Sequence, residues 1–575
     1  MDIGYSDGDA EPLLLELFQS LKADQLGSMS EALECAVKDW PTEYHLSRQR
    51  HCLLRPLRIS PGDRILEIGA GCGAMTRYLG ETGARVTALE GSLLRAQIAA
   101  ERCRDLENVE VIAGNFGSFR QVGEYDWVVA VGVLEYANLF IDHVDATDLF
   151  LEKARRMLSS SGHLVVAIEN QFGLKYWAGA SEDHVGIPYF GIENRYSATT
   201  AKTYGRVQLE SLLHQAGFAR QELLLPYPDC KLPTTIVRAT AIADCDLSIA
   251  SLLYGLHGRD YGEQWYSLVD EHRIYGLLQR NELVADFANS FLIVAGLDEE
   301  PRQALEPGDV WIYSVGRRLS RFAKEVVITS RSSSGREALA TSLEASKATR
   351  FEMSCGLGGV QVIESAPFVS GETEAVVVYQ SFATESPSAV AEAFRRWAEY
   401  VLELARLIPG ASFSDLAGWV LDGVWLDLIP QNMIFSPPAN PHVFDLEWRI
   451  DQEIPLGWLL FRGVAHCSRF HDSRSVLSEL CRLIGLEMAD EDFLRAQELE
   501  QDFQQAVTVP RTYEKSLPIN LNQLEFRLRT AESEASQATD NLAAVMRRRS
   551  VRVGLAVARW LPPIFWFRRL GPWAR

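Results

Sequence analysis

From residue 60 to residue 170, short apolar runs and amphipathic runs take turns along the chain. Ile65-Leu-Glu-Ile68, Val86-Thr-Ala-Leu89, Val109-Glu-Val-Ile-Ala113, Tyr125 to Leu134 and Leu164 to Ile168 are each long enough for one strand. The unbroken run at 125–134 suits a strand covered on both faces. Between the runs, Ala74 to Leu79 and Ala146 to Leu158 have helical character. Five strands with intervening helices predict an α/β fold, a doubly wound sheet with its ligand at the strands' carboxyl ends. Residues 1–60 and 208–216 read as helical. Farther on, Val310-Trp-Ile-Tyr-Ser314, Glu325-Val-Val-Ile-Thr329 and Glu374-Ala-Val-Val-Val-Tyr379 read as strands, and 388–407 as a helix. Beyond 520, Leu521, Leu524, Leu528, Ala531, Ala535, Ala538, Leu542 and Val545 step by three and four, the seam of a coiled coil.

The first strand ends in a glycine turn, Glu67-Ile-Gly69-Ala70-Gly71-Cys-Gly73, and the second ends in Glu90. Glycines let the backbone wrap closely around a ligand, and an acid at the next strand's end can grip ribose hydroxyls. The glycine spacing is one residue tighter than the dinucleotide fingerprint, and Glu67 stands beside it, where it would repel a pyrophosphate. This stretch resembles the first motif of the class I methyltransferases, whose ligand is S-adenosylmethionine, and implies a Rossmann-like fold over residues 60–240. The resemblance extends to Asn115 and Phe116, which would hold the adenine edge and face. It extends also to the fourth strand, where Val131 would line the methyl-transfer pocket. Tyr44 and Arg50, just before the sheet, fall where such enzymes often carry a lid; surface helix residues are the alternative. The loop from Ile168 to His184, rich in Gly, Trp, Tyr and polar groups, reads as an acceptor pocket. His184 is either its base or a solvated loop histidine.

A second constellation lies at Asp427-Leu-Ile-Pro-Gln-Asn432 and Asp445-Leu-Glu447, with apolar 433–435 and 442–444 able to form a hairpin between them. The spacing resembles the catalytic loop and metal aspartate of protein kinases. That resemblance implies an α+β kinase-like domain binding ATP and Mg²⁺. Asp427 would orient the acceptor hydroxyl, and Asn432 and Asp445 would hold the metal. Leu426 replaces the usual histidine, Glu447 stands at the usual glycine, and no phosphate-binding lysine stands out.

Composition narrows the classes. A chain of 575 residues with 47% hydrophobic residues has room for two or three cores. Its net charge of −21 argues against nucleic acid as partner. Nine scattered cysteines without a C-x-x-C pair suit a reduced, cytoplasmic protein. Residues 547–575 reverse the charge, with eight arginines, no acids, and Trp560, Trp566 and Trp573. Such a segment suits the interface of an anionic membrane. The expected plan is thus 1–240, methyltransferase with a helical lid; 241–300, helical connector; 301–515, kinase-like; 520–546, coiled coil; 547–575, membrane-seeking tail.

In this order the parts resemble the bacterial methyltransferase–kinase proteins that terminate O-antigen chains. That resemblance implies methylation of a terminal sugar or sugar phosphate, with phosphorylation of the chain end by the kinase-like domain. It also implies a homo-oligomer through the coiled coil, glycosyltransferase partners at the tail, and a peripheral place on the inner membrane face. Two other readings stay open: a methyltransferase of small molecules or glycans with an inert kinase-like domain, and a non-enzymatic membrane-tethered scaffold.

Overall fold

The structure, a computed structural model, describes residues 10–544 apart from 121–124, 142, 144, 245, 262–264, 298–302, 332–334, 344–347, 382–385, 436–440, 468–471, 514–517 and part of 522–543. Residues up to Pro518 form one compact unit, and those from Ile519 a second.

The first five apolar runs become β1 (Arg64–Ile68), β2 (Arg85–Glu90), β3 (Val109–Ala113), β4 (Tyr125–Val131) and β5 (Leu158–Glu169). They pair in parallel in the order β3-β2-β1-β4-β5. Strand order therefore reverses between β1 and β4, which opens a crevice at their carboxyl ends. Helices Ala74–Glu81, Leu93–Arg102 and Ala146–Met157 supply the crossovers that parallel strands require.

The sheet does not stop there. It goes on through β6 (Arg220–Tyr227), β7 (Thr235–Arg238) and β8 (Ser290–Gly296). β8 lies between β5 and β6, antiparallel to both, with all its residues buried. Residues 241–300 were expected to be a helical connector. They do contain helices Ile249–Leu252, Glu271–Arg280 and Val284–Phe287, but they also supply this interior strand. A short run such as Ser-Phe-Leu-Ile-Val-Ala-Gly has no period by which to tell strand from helix.

Three further strands, β9 (Val310–Ser314), β10 (Lys324–Arg331) and β11 (Gly335–Ser342), add antiparallel beyond β7. With Ala366–Pro367 at the edge, the sheet reaches twelve strands. The expected second-domain strands at 310–314 and 325–329 therefore continue the first sheet. The cause is packing: Trp311 and Tyr313 are buried in one core with Ile65, Val86 and Trp127. Another expected strand is corrected outright, since Glu374–Ser381 is a helix burying Ala375, Val376, Val378 and Tyr379.

A separate core follows. It joins the antiparallel strands Ala348–Glu352, Gly358–Val362 and Trp448–Ile450 to helices Pro387–Leu404, Leu456–Cys467, Ser473–Leu483 and Asp490–Val507. Met433–Ile434 pairs with His442–Val443 in the expected hairpin. In the second unit, the described residues between 521 and 544 are helical, and Leu524 and Leu528 are exposed. The seam positions Ala531, Leu542 and Val545 and the whole basic tail, 547–575, lie outside the described residues. No helix among the described residues is long and apolar enough to cross a membrane.

Candidate active site

The loop after β1 turns under a ladder of backbone hydrogen bonds. Gly69 and Ala70 donate N–H to Leu89 O at 2.8 and 3.1 Å, and Gly73 donates to Ala70 O at 3.0 Å. Gly69, Gly71 and Gly73 take φ of 76°, 55° and 81°, a region that side chains disfavour. At Gly69 a Cβ would stand 2.5 Å from Val133 Cγ2. At Gly73 it would stand 2.8 Å from the Ala99 backbone, so this glycine lets two helices approach. The site for a Cβ at Gly71 has no neighbour within 4 Å.

Glu90 ties the loop to β2. One carboxylate oxygen accepts the Gly71 N–H at 2.7 Å and the other the Ser92 N–H at 2.9 Å. Each oxygen keeps a further lone pair for a ligand diol. Glu67 has a different fate. It is 4% exposed and accepts the Thr76 hydroxyl at 2.6 Å. Burial pushes its carboxyl up to about 7, with the Thr76 bond opposing and the Glu90 charge assisting.

That shift sets a pH dependence. The folded value lies above the unfolded one, so the stabilising proton is fully present below about 4.5 and is lost as pH rises through about 7. Stability should fall between pH 5.5 and 8 by on the order of 2 kcal/mol through this group. Glu67→Gln, which keeps an acceptor for Thr76, should abolish that part of the slope; thermal melts at the two pH values measure it.

A cavity of about 360 Å³ opens at this end of the sheet. Glu67, Gly69, Ala70, Gly71, Glu90, Asn115, Phe116, Val131, Tyr44 and Arg50 all line it. Gly73 does not, because its work is against Ala99. Asn115 accepts the Gly117 N–H at 2.7 Å through Oδ1, which directs its NH₂ to donate. Phe116 presents a ring braced by Phe150 at 4.9 Å between centroids.

The lid residues sit on helix Trp40–Leu46 and the turn after it. Asp39 caps that helix by accepting the Thr42 N–H at 2.9 Å. Arg50 Nη2 donates to the Tyr44 hydroxyl at 2.8 Å, and Nη1 donates to Lys231 O at 2.8 Å.

The far end of the cavity is charged. Glu135 follows β4, Glu169 ends β5, and Asp183, His184 and Lys231 come from the loops beyond. His184 is buried rather than solvated, with 7% of its side chain exposed. Its Nδ1 lies 3.0 Å from Glu182 Oε1, and its Nε2 lies 3.5 Å from Glu135 and 3.7 Å from Glu169. Lys231 bonds both Glu169 and Asp183, and Lys175 bonds Asp183 at 2.8 Å. Burial raises Glu135 above its ordinary value against the pull of His184. Glu169, although burial raises it, is held low by Lys231 and His184. Burial would lower His184, but Glu135, Glu182 and Glu169 hold it well above the usual imidazole range. The pattern alone marked His184 weakly and did not mark Lys231 or Asp183, because their partners come from segments far apart in sequence.

At the second constellation, Asn432 Nδ2 donates to the carbonyls of Asp427 at 3.0 Å and Asp445 at 3.2 Å. Asp445 takes a left-handed φ of 53°, a conformation that costs energy in a non-glycine residue, and it pairs with Lys324 at 2.5 Å. Lys324 also reaches Glu447 at 2.5 Å. It is the cation near Asp445 that sequence spacing did not place, since it begins β10 without a flanking motif.

Asp427 departs from expectation. It is 3% exposed, and both oxygens are engaged, one by Arg462 at 3.0 Å and one by the Trp448 N–H at 3.2 Å. Such a carboxylate holds the loop together, and a substrate hydroxyl would have only the lone pair left on each oxygen.

Comparison with known proteins finds a methyltransferase likeness over the first five strands. Residues 66–164 match the family described as "Methyltransferase domain". Demethylmenaquinone methyltransferase of Tropheryma whipplei is 32% identical over 117 residues, 20% of this chain and 46% of that protein. Ribosomal RNA small subunit methyltransferase A of Thermotoga maritima is 29% identical over 117 residues, 18% of this chain and 42% of that protein. Among solved structures, phosphoethanolamine N-methyltransferase 2 of Haemonchus contortus with S-adenosyl-L-methionine aligns at 16% identity and a TM-score of 0.27, covering 44% of this chain and 52% of that one. The chain spans under half the length of the curated relatives it matches. Within it, residues 66–164 carry a methyltransferase domain.

Proposed function

We propose that this chain is an S-adenosylmethionine-dependent methyltransferase acting on a hydroxyl of a cell-envelope glycan. One observation carries the reading: the glycine turn, Glu90 and the buried Glu135–His184–Glu169 group share a single cavity. The first two suit a nucleoside with a cationic sulfur, and the third suits an acceptor that must give up a proton. Of the two acceptors the sequence suggests, a sugar hydroxyl needs a proton acceptor and a phosphate does not. Carboxylates also predominate at that end of the cavity, which disfavours an anionic acceptor. Methyl transfer itself is an in-line displacement, helped mainly by holding the acceptor oxygen opposite sulfur.

The test uses the full chain with methyl-labelled S-adenosylmethionine and membranes bearing polysaccharide intermediates. Label should enter the glycan, and Glu135→Gln should cut the rate at least about 100-fold while donor binding persists. Label confined to small molecules would favour a free-standing small-molecule enzyme instead.

A second reading concerns residues 301–515, taken as a nucleotide-dependent kinase of the same chain end. It is supported by Asn432 bridging the two aspartate carbonyls and by Lys324 beside Asp445. ATP and Mg²⁺ would be its cofactors, with Asn432 Oδ1 and Asp445 on the metal. Wild type should turn over ATP with an envelope glycan, and Asp445→Asn should not. In this reading the coiled coil makes the homo-oligomer, and the tail binds anionic lipid and glycosyltransferases on the cytoplasmic side. Removing 547–575 should release the protein from membranes without changing donor affinity.

A further inference from the structure

The charged end of the cavity has a feature that proton transfer alone does not require. Glu135 Oε1 and Glu169 Oε2 stand 3.5 and 3.7 Å from His184 Nε2, and the three ligand atoms all lie within 4.8 Å of one another. Four-coordinate metal shells with donors at about 2.1 Å separate neighbouring donors by about 3.4 Å, so little movement closes this set on an ion. Both carboxylates are 2% exposed, yet Glu135 Oε2 and Glu169 Oε2 have no hydrogen-bond partner. Buried polar atoms rarely go unpaired without a reason. Glu182 Oε1, 3.0 Å from Nδ1, fixes the ring with Nε2 toward the two glutamates, and an ion entering there displaces the proton that Nε2 carries. A carboxylate behind an imidazole is the outer support that metal-bound histidines use.

We propose that Glu135, Glu169 and His184 bind a divalent cation at the acceptor end of the cavity, and that the cation takes the acceptor hydroxyl as a further ligand. This deepens the methyltransferase reading and rests on it. The cation makes the hydroxyl more acidic. Its proton passes to Glu135 Oε2, the oxygen left off the metal. The acceptor oxygen then forms its bond to the methyl carbon as the carbon–sulfur bond breaks, and that electron pair leaves on S-adenosylhomocysteine. Such a cation would select acceptors with oxygen donors over amines.

The experiment measures Mn²⁺ alone, by electron paramagnetic resonance, on full-length protein carrying Asp445→Asn so that the second constellation does not contribute. Donor binding is followed separately by calorimetry. One Mn²⁺ should bind per chain. Affinity should fall at least about 100-fold in His184→Ala and Glu135→Gln, and about 10- to 100-fold in Glu182→Gln, with donor binding retained. Should those variants fail to fold, the unsubstituted chain still decides: Mn²⁺ at this site broadens the methyl resonance of bound ¹³C-labelled S-adenosylmethionine. Donor binding with no Mn²⁺ uptake, affinity unchanged by the substitutions, or a methyl line untouched by Mn²⁺ overturns the cation site and leaves the methyltransferase reading standing. Loss of donor binding in the parent protein overturns the methyltransferase reading itself.

Discussion

Glu90→Ala should weaken S-adenosylmethionine binding by about 100-fold or more while leaving the fold intact. A carboxylate gripping both ribose hydroxyls makes two charge-assisted hydrogen bonds, each contributing about 1.5–3 kcal/mol. The same carboxylate also accepts the Gly71 and Ser92 N–H groups, so its loss loosens the turn that shapes the cavity. Gly71→Arg should give a comparable loss by a different route. Position 71 holds φ at 55°, and the empty space around a Cβ there belongs to the cavity. Arginine would be strained in the backbone and would put its side chain where the ligand goes. Calorimetric titration of each variant reads both effects. Donor affinity unchanged in Glu90→Ala would move the nucleoside out of this cavity.

Arg462→Met should cost about 3–5 kcal/mol of stability, the largest folding effect expected of any single change discussed here. Arg462 is 4% exposed and bridges Asp427 at 3.0 Å to Glu500 at 2.6 Å. Removing it leaves Asp427 buried without its counter-ion, while Glu500, 13% exposed, keeps His466 at 3.7 Å. Burial already raises Asp427 to about 6 even with Arg462 in place. Adding Asp427→Asn to Arg462→Met should recover part of the loss, because an amide oxygen can still accept the Trp448 N–H. Urea unfolding of both variants, followed by tryptophan fluorescence, measures the coupling. Asp427→Asn alone separates two roles for Asp427. A residue that only positions the loop costs stability when changed to asparagine, whereas one that orients a substrate hydroxyl loses ATP turnover at full stability.

Much of the first half was legible because its signals are local. β1, β2, β4 and β5 are runs of apolar residues, and the glycine turn needs positive φ that only its own residues reveal. Glu90 is found by counting from that turn. The acceptor end was not legible in this way. Glu169, Asp183, His184 and Lys231 meet from the end of a strand and two loops, and no spacing rule links them. His184 was weighed as a solvated loop residue because nothing near it in sequence announces Glu135, which arrives from the end of β4. β8 was missed for another reason: a seven-residue apolar strand directly after two helices reads as more helix. Lys324 escaped because the expected phosphate lysine was sought within a separate lobe, whereas its strand is hydrogen-bonded into the main sheet.

That continuity has a practical side. Because β7, β9, β10 and β11 extend, through β6 and β8, the sheet whose other end carries the donor cavity, cutting the gene near residue 300 would leave β7 with an open rim. It would also strip Trp311 from the core it fills. Half-proteins made this way should stick to themselves through the bared strand rather than behave as free modules. Testing the proposed methyl-transfer and kinase activities apart therefore calls for point substitutions in the intact polypeptide.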